Sequence, residues 1–252
     1  MDAHSPFGTF WILPAMLMTG AIAGALYAMI PALLRVMLGV SEILTSLMLV
    51  YIAQLFLDYM VRGPWRDPKG FNFPVTVNFD PAATLPLLMH NGRLHLGVLF
   101  ALLAALIASL IMHRSLFGFE VRLVGIAPRA ARFAGFSEDR LTLIVFAISG
   151  ALAGLAGISE VAGQIGQLQP VISPGYGFTA IIVAFLGRLS PFGMVLAGLM
   201  MALTYVGGEA AQVSMKLPSF LVSAFQGLVL MCVLAADRLI RLRVRLHWGP
   251  RP

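Results

Sequence analysis

The residues that could do chemistry in this chain are few and scattered among long apolar runs. His4, His90, His95, His113 and His247 all fall at the ends of those runs or between them. No HExxH spacing occurs and no histidine sits mid-run beside a serine, so metal-dependent or serine-type intramembrane proteolysis is not indicated. Lys69 and Lys216 close no GxxxxGK[ST] loop, which excludes ATP hydrolysis by a phosphate-binding loop of this chain. The single cysteine, Cys232, rules out an internal disulfide and a CxxC metal site. No catalytic residue, metal ligand or cofactor is therefore assigned, and no enzyme is expected. Three acids, Glu42, Glu160 and Glu209, border apolar runs. An acid inside a membrane marks function, whereas an acid near a predicted helix end reads as interfacial. A proton- or sodium-coupled carrier would want a deeper acid or a relay, so a partner-independent secondary transporter is the weaker reading.

The elements that must carry these residues follow from composition. Of 252 residues, 59% are hydrophobic and 11% charged, and the mean hydropathy is +0.90. A soluble domain cannot hide that much apolar surface, so the fold class is an all-α, polytopic transmembrane bundle. A span takes roughly 20 apolar residues. Crossings are predicted at 10–34, 42–61, 96–113, 141–161, 192–208 and 218–236, with a shorter or broken one at 175–187. Residues 1–9 hold no positive stretch of the kind that opens a cleavable signal peptide. The net charge of +6 does not indicate nucleic acid, because the arginines sit at the ends of apolar runs, where they orient helices.

Arginine distribution sets the expected topology. Arg114, Arg122, Arg129, Arg132 and Arg140 crowd one polar loop, and Arg238, Arg241, Arg243, Arg245 and Arg251 crowd the tail. By the positive-inside rule both are cytoplasmic, which puts the amino end outside and the carboxyl end inside. The loop at 62–95 is then external, although it holds Arg62, Arg66, Lys69 and Arg93. It is rich in Pro, Gly and Asn, with an alternating stretch at 73–79; it reads first as an ordered connector, and otherwise as a small hairpin or a cover over a pore. The whole, 1–252, reads as one transmembrane domain. Gly20 with Gly24, and Gly150 with Gly154, are small-xxx-small pairs that let helices approach closely in lipid. The stretch 159–177 places Glu160, Gln164, Gln167 and Gln169 beside glycines and prolines. It is either an external loop or a helix broken beside a water-filled path.

The polar island at 114–140 is the most informative segment. Ala130 and Ala131, then three residues, then Gly135 predict a short helix with a tight turn behind it. A membrane protein pushed by another protein would carry such an element. Its alanines would let it seat closely, and its arginines would steer it toward an acidic rim.

Five stretches carry a resemblance when taken in order: GVSEILTSLMLVYIA (39–53), RLVGIAPRAARFAGFS (122–137), ISGALAGLAGISEVAG (148–163), GYGFTAIIVAFLGRLSPFG (175–193) and FLVSAFQGLVLMCVL (220–234). Together they resemble the membrane permease subunit of bacterial ABC importers, in the simple sugar and nucleoside branch. The resemblance implies an inner-membrane subunit paired with a second permease, as homodimer or heterodimer. It also implies a cytoplasmic ABC ATPase, which binds the ATP, and an extracytoplasmic solute-binding protein. Transport would proceed by alternating access for a small polar solute, a nucleoside or simple sugar. The coupling helix would lie at 125–137, with Gly125, Arg129, Ala130, Ala131, Arg132 and Gly135 at the ATPase. Two features depart from the importer-wide pattern: Arg129 stands where Glu is usual, and no I-x-L-P follows Gly135. Members of the branch also carry helices ahead of the region matching this chain's start, so it looks short at its amino end. For the substrate path, the polar residues Glu42, Gln164, Gln167, Glu209, Gln212 and Gln226 are the candidates.

Overall fold

The structure is a computed structural model that describes residues 6–70, 73–88, 94–173 and 175–216. Parts of 218–236 are described as well, and side chains from Trp11 onward. Eight α-helices can be delimited among the described residues, in order: α1 Pro6–Leu38, α2 Glu42–Arg62, α3 Gly97–Arg114, α4 Leu116–Ile126, α5 Pro128–Phe133, α6 Glu138–Glu160, α7 Tyr176–Leu186 and α8 Pro191–Met215. No strand occurs among the described residues, only one isolated antiparallel bridge between Leu87 and His95. Five of the helices (α1, α2, α3, α6 and α8) are long and apolar enough to cross a membrane, whereas α7 has 11 residues. The crossing expected at 218–236 lies partly outside the described residues.

The chain divides into two compact units, residues 1–104 with 110–172, and residues 105–109 with 173–252. In the first unit α1 and α6 form the main packed pair. A Cβ at Gly24 would strike the Gly150 carbonyl, and one at Gly154 would strike the Gly20 carbonyl. Gly20 faces Ile158, and Gly150 faces Ala28. Rising residue numbers on α1 meet falling numbers on α6, so the two helices are antiparallel. Backbones this close gain dispersion contacts that lipid cannot supply.

That pairing sorts the loops by end. At one end Gly39, at φ +65°, closes α1 and turns the chain into α2. There Arg35 pairs with Glu42. The same end receives the start of α6. At the opposite end α6 continues into a π-helical turn over Val161–Ile165 and stops at Gly166, at φ +71°. The extended segment after α2 is the ordered connector expected of it, and 73–79 does not form the small hairpin that its alternation also allowed. Its backbone pairs with the end of α6 instead: Thr76 donates to Leu168 O at 3.0 Å, Phe79 to Gly166 O at 2.8 Å and Leu85 to Ala162 O at 2.9 Å. The Thr76 hydroxyl in turn accepts from Leu168 N at 2.9 Å. Asp80 caps a short 3-10 turn, Pro81–Ala83, that lies against α1. The stretch 159–177 thus holds a loosened helix end, Val161–Ile165, followed at 166–168 by a loop whose backbone is held to the neighbouring segment.

In the second unit α7 and α8 make a hairpin. Arg188 and Leu189 turn the chain with φ of 51° and 54°. Ser190 then caps α8, accepting from Gly193 N at 3.2 Å, with Pro191 as the first helical residue.

Two substitutions test this packing. Gly154→Leu should destabilise the detergent-solubilised protein by about 1–3 kcal/mol through overpacking. Gly157→Ala, where an added Cβ meets open space, should leave the melting temperature unchanged or raise it. Thr76→Val removes the acceptor for the part-buried Leu168 N–H, at a cost of about 1 kcal/mol. Amide exchange at Leu168 should speed up in that variant, and Thr76→Ser should restore it.

Candidate functional site

The loop 114–140 is more structured than its charge pattern suggested. Ser115 ends α3 and caps α4, accepting from Gly118 N at 3.1 Å. Arg122 folds back to donate to Met112 O at 2.6 Å and Gly118 O at 3.2 Å, which ties α4 to the last turn of α3. After α4 comes α5, opened by Pro128 at its first position and closed by Gly135 at φ +84°. Two hydrogen bonds make the stop: Phe136 N to Ala131 O and Gly135 N to Arg132 O, both 3.0 Å. This is the paired closure in which an αL glycine satisfies the last carbonyls of a helix. Ser137 then caps α6, and Arg132 reaches Glu138 at 3.1 Å.

The residues expected to couple divide by orientation. Ala131 is 1% exposed and fastens α5 to its own unit. Ala130, Arg129, Arg132 and Gly135 face outward, and so does Gly125 at the end of α4. Two apolar residues unmarked by the spacing accompany them: Phe133, 96% exposed, and Ile126, 83% exposed. A phenylalanine in a run of arginines is the signal in the sequence that marks this position. The outward face is therefore mixed, with an aromatic knob beside guanidinium groups.

In the first unit the polar residues expected along the path lie at two ends. Glu42 is the first residue of α2 and is engaged by Arg35. Gln164 lies exposed on the π-helical turn, and Gln167 follows Gly166 half-buried. These two lie at the opposite end of the α1–α6 pair from Glu42. On α8, Glu209 and Gln212 follow Tyr205 by four and seven residues, which puts the three on one helical face. Gln226 lies outside the described residues.

The second unit adds a polar cluster that residue types alone did not reveal. Thr179 of α7 is 8% exposed. Its hydroxyl lies 2.7 Å from the Tyr205 hydroxyl of α8 and 3.4 Å from the Gly175 carbonyl. Tyr176 meets Tyr205 edge to face, with ring centroids 5.7 Å apart at 81°. A tyrosine and a threonine in apolar helices were the available signal, but only the fold shows that they touch. In the first unit a cavity of about 360 Å³ opens between α1, α2 and α6, with Tyr27, Ser46, Ser149 and Gly154 among its walls. It is largely apolar, and the Tyr27 hydroxyl donates to Leu49 O at 2.7 Å. None of the described path candidates lines it. No grouping of His, Cys, Asp and Glu able to hold a metal ion occurs among the described residues.

Known proteins resemble this chain over most of its length. It is 40% identical over 250 residues to the glucose ABC transporter permease protein TsgB13 of Haloferax volcanii, covering 95% of this chain and 66% of that protein. It is 32% identical to the guanosine ABC transporter permease protein NupP of Bacillus subtilis, covering 88% of this chain and 64% of the relative. With the nucleoside ABC transporter permease protein NupB of Lactococcus lactis the identity is 31%, over 78% of this chain and 56% of that one. The chain thus spans less than two thirds of the length of these curated relatives. No solved structure matches it. A family model described as branched-chain amino acid transport system / permease component matches residues 6–234. With five membrane-length helices and that match, the chain belongs to this family of multi-pass membrane permease components.

Proposed function

We propose that this chain is the membrane-spanning subunit of an ABC importer that forms the path for a small polar solute, a simple sugar or nucleoside. It carries no ATP site of its own. A separate cytoplasmic ABC ATPase docks on α5, a second permease subunit completes the pair, and an extracytoplasmic binding protein delivers the solute. The amino end lies outside and the carboxyl end in the cytoplasm. The binding protein would meet the end formed by 62–95 and the close of α6. The solute class rests on the relatives' names, which specify glucose, nucleosides and guanosine.

The observation that carries the reading is the construction of α5. A mechanical coupler must be rigid, fastened on one side and open on the other. Ala131 fastens it, Pro128 and Gly135 fix its ends, and Phe133 stands fully outward. ATP-driven closure of the partner would shift α5 as a body, and α4 and α6 on either side would carry that shift into the membrane.

The experiment follows from the exposed aromatic. Because Phe133 touches almost nothing in its own chain, Phe133→Asp should leave insertion and melting temperature unchanged. It should reduce co-purification of the ATPase and ATP-dependent uptake by at least about tenfold, the loss typical of an interface hot spot. Gly135→Trp should also abolish docking, here by breaking the turn that stops α5. ATPase association unchanged in both variants would sink the coupling role. Uptake that persists in vesicles without ATP or any ATPase would instead establish a secondary carrier.

A further inference from the structure

We propose that Tyr205, Thr179 and Tyr176 on the α7–α8 hairpin form a recognition site for the hydroxylated ring of the transported solute. This rests on the importer reading above and names the residues that would touch the substrate. Tyrosines in membrane proteins gather at the interfaces, where the ring is apolar and the hydroxyl is wet. Tyr205 does not follow that habit. It is residue 15 of the 25 in Pro191–Met215, two places past the middle, or about 3 Å along the axis at the helical rise. A hydroxyl at that depth has to be satisfied by protein, ligand or water in a path.

Thr179 supplies one partner, and the valence of the pair leaves capacity over. Two hydroxyls hold two hydrogens and four lone pairs between them. When Thr179 donates to the Gly175 carbonyl, Tyr205 donates to Thr179 and keeps an accepting oxygen. When Thr179 donates to Tyr205 instead, the Tyr205 hydrogen is released for another acceptor. The pair therefore offers an acceptor or a donor by rotation of two bonds, which suits a sugar or ribose hydroxyl that is itself both. Switching between the two needs no charge and no protonation step, so binding can be specific yet reversible.

The aromatic part of the site lies beside the hydroxyls. Tyr176 stands edge to face on Tyr205 and is 42% exposed. Its ring offers a flat surface for the C–H face of a pyranose or for a stacked base. Glu209 and Gln212 continue the same face of α8, so the polar stripe runs on for seven residues beyond Tyr205. An interhelical bolt alone would require only the Thr179–Tyr205 bond. A bolt does not require the Tyr176 ring to stand 42% exposed beside it.

Uptake by the full transporter in membrane vesicles tests this, with labelled D-glucose and guanosine as probes. The matching deoxy compounds, a set of monodeoxyglucoses and 2′-deoxyguanosine, serve as competitors. Tyr205→Phe keeps the ring and removes the hydroxyl. It should raise the half-saturating concentration of the transported probe about five- to tenfold, the loss of one hydrogen bond. It should also flatten the wild-type preference for that probe over one of its deoxy analogues. Tyr176→Ala should weaken half-saturation similarly without that change in preference. ATPase co-purification should stay at the wild-type level in both variants. The proposal is overturned if Tyr205→Phe and Thr179→Val lower the melting temperature or the assembled amount while half-saturation and deoxy preference stay at wild-type values. In that case the pair only holds α7 to α8. A wild-type transporter that moves neither probe, with its ATPase bound and active, would overturn the sugar and nucleoside reading itself. The site assignment would fall with it, marked by the missing wild-type signal rather than by any variant.

Discussion

The close approach of α1 and α6 is the constraint from which the first unit follows. Lipid tails are as apolar as leucine, so burying leucines between two membrane helices gains little over leaving them in lipid. What favours a helix pair there is contact that lipid cannot match, and that requires short distances between backbones. Gly20 and Gly24 on one helix, and Gly150 and Gly154 on the other, permit those distances because each faces a carbonyl or side chain where a Cβ would sit. The contact also fixes direction. Once α1 and α6 lie antiparallel, the α1–α2 turn and the start of α6 share one end. The close of α6 and the segment after α2 share the other.

Each end is then a problem in satisfying backbone. The π-helical turn at Val161–Ile165 spoils the regular hydrogen bonding of α6, and Gly166 ends it. Carbonyls freed there are taken up by amides of the extended segment, at Thr76, Phe79 and Leu85. Chain that looks irregular in both places becomes ordered because each supplies what the other lacks. At the opposite end the solution is local. Arg122 returns to the carbonyls of α3 and α4, and Gly135 with Phe136 closes α5 on itself. A self-closed helix keeps its outward face clear, which is the condition for receiving a partner.

Sequence periodicity located the five long helices because hydropathy over a span is a sum, insensitive to any single residue. It also located the end of α5, since a glycine behind two alanines has a local conformational meaning. Other features depend on contacts between distant residues, and those are not written locally. The stretch at 73–79 alternates as a strand would, yet its partner is Gly166–Leu168 rather than a second arm of a hairpin. Glu42 is a lone acid in the sequence, but in the fold Arg35, seven residues earlier, lies against it. Thr179 and Tyr205 are 26 residues apart in the chain and 2.7 Å apart in space. Phe133 was legible in principle, because an aromatic in a charged stretch needs either a core or a partner.

On the importer reading proposed above, the distribution of charge bears on the kind of solute such a path would take. Glu42 is engaged by Arg35 at a helix start, and Glu138 opens α6 beside Arg132. Both pairs lie at helix ends, where water lowers the cost of holding charge and limits its effect. Within the helices two hydroxyls make hydrogen bonds of 2.7 Å, Tyr27 to the Leu49 carbonyl and Thr179 with Tyr205. Hydroxyl groups bind other hydroxyls with modest net energy, because each bond made replaces one with water. A carrier of neutral solutes gains from that balance. Strong charge pairing would hold the solute, whereas reversible hydroxyl exchange lets a shift of a rigid helix be enough to release it.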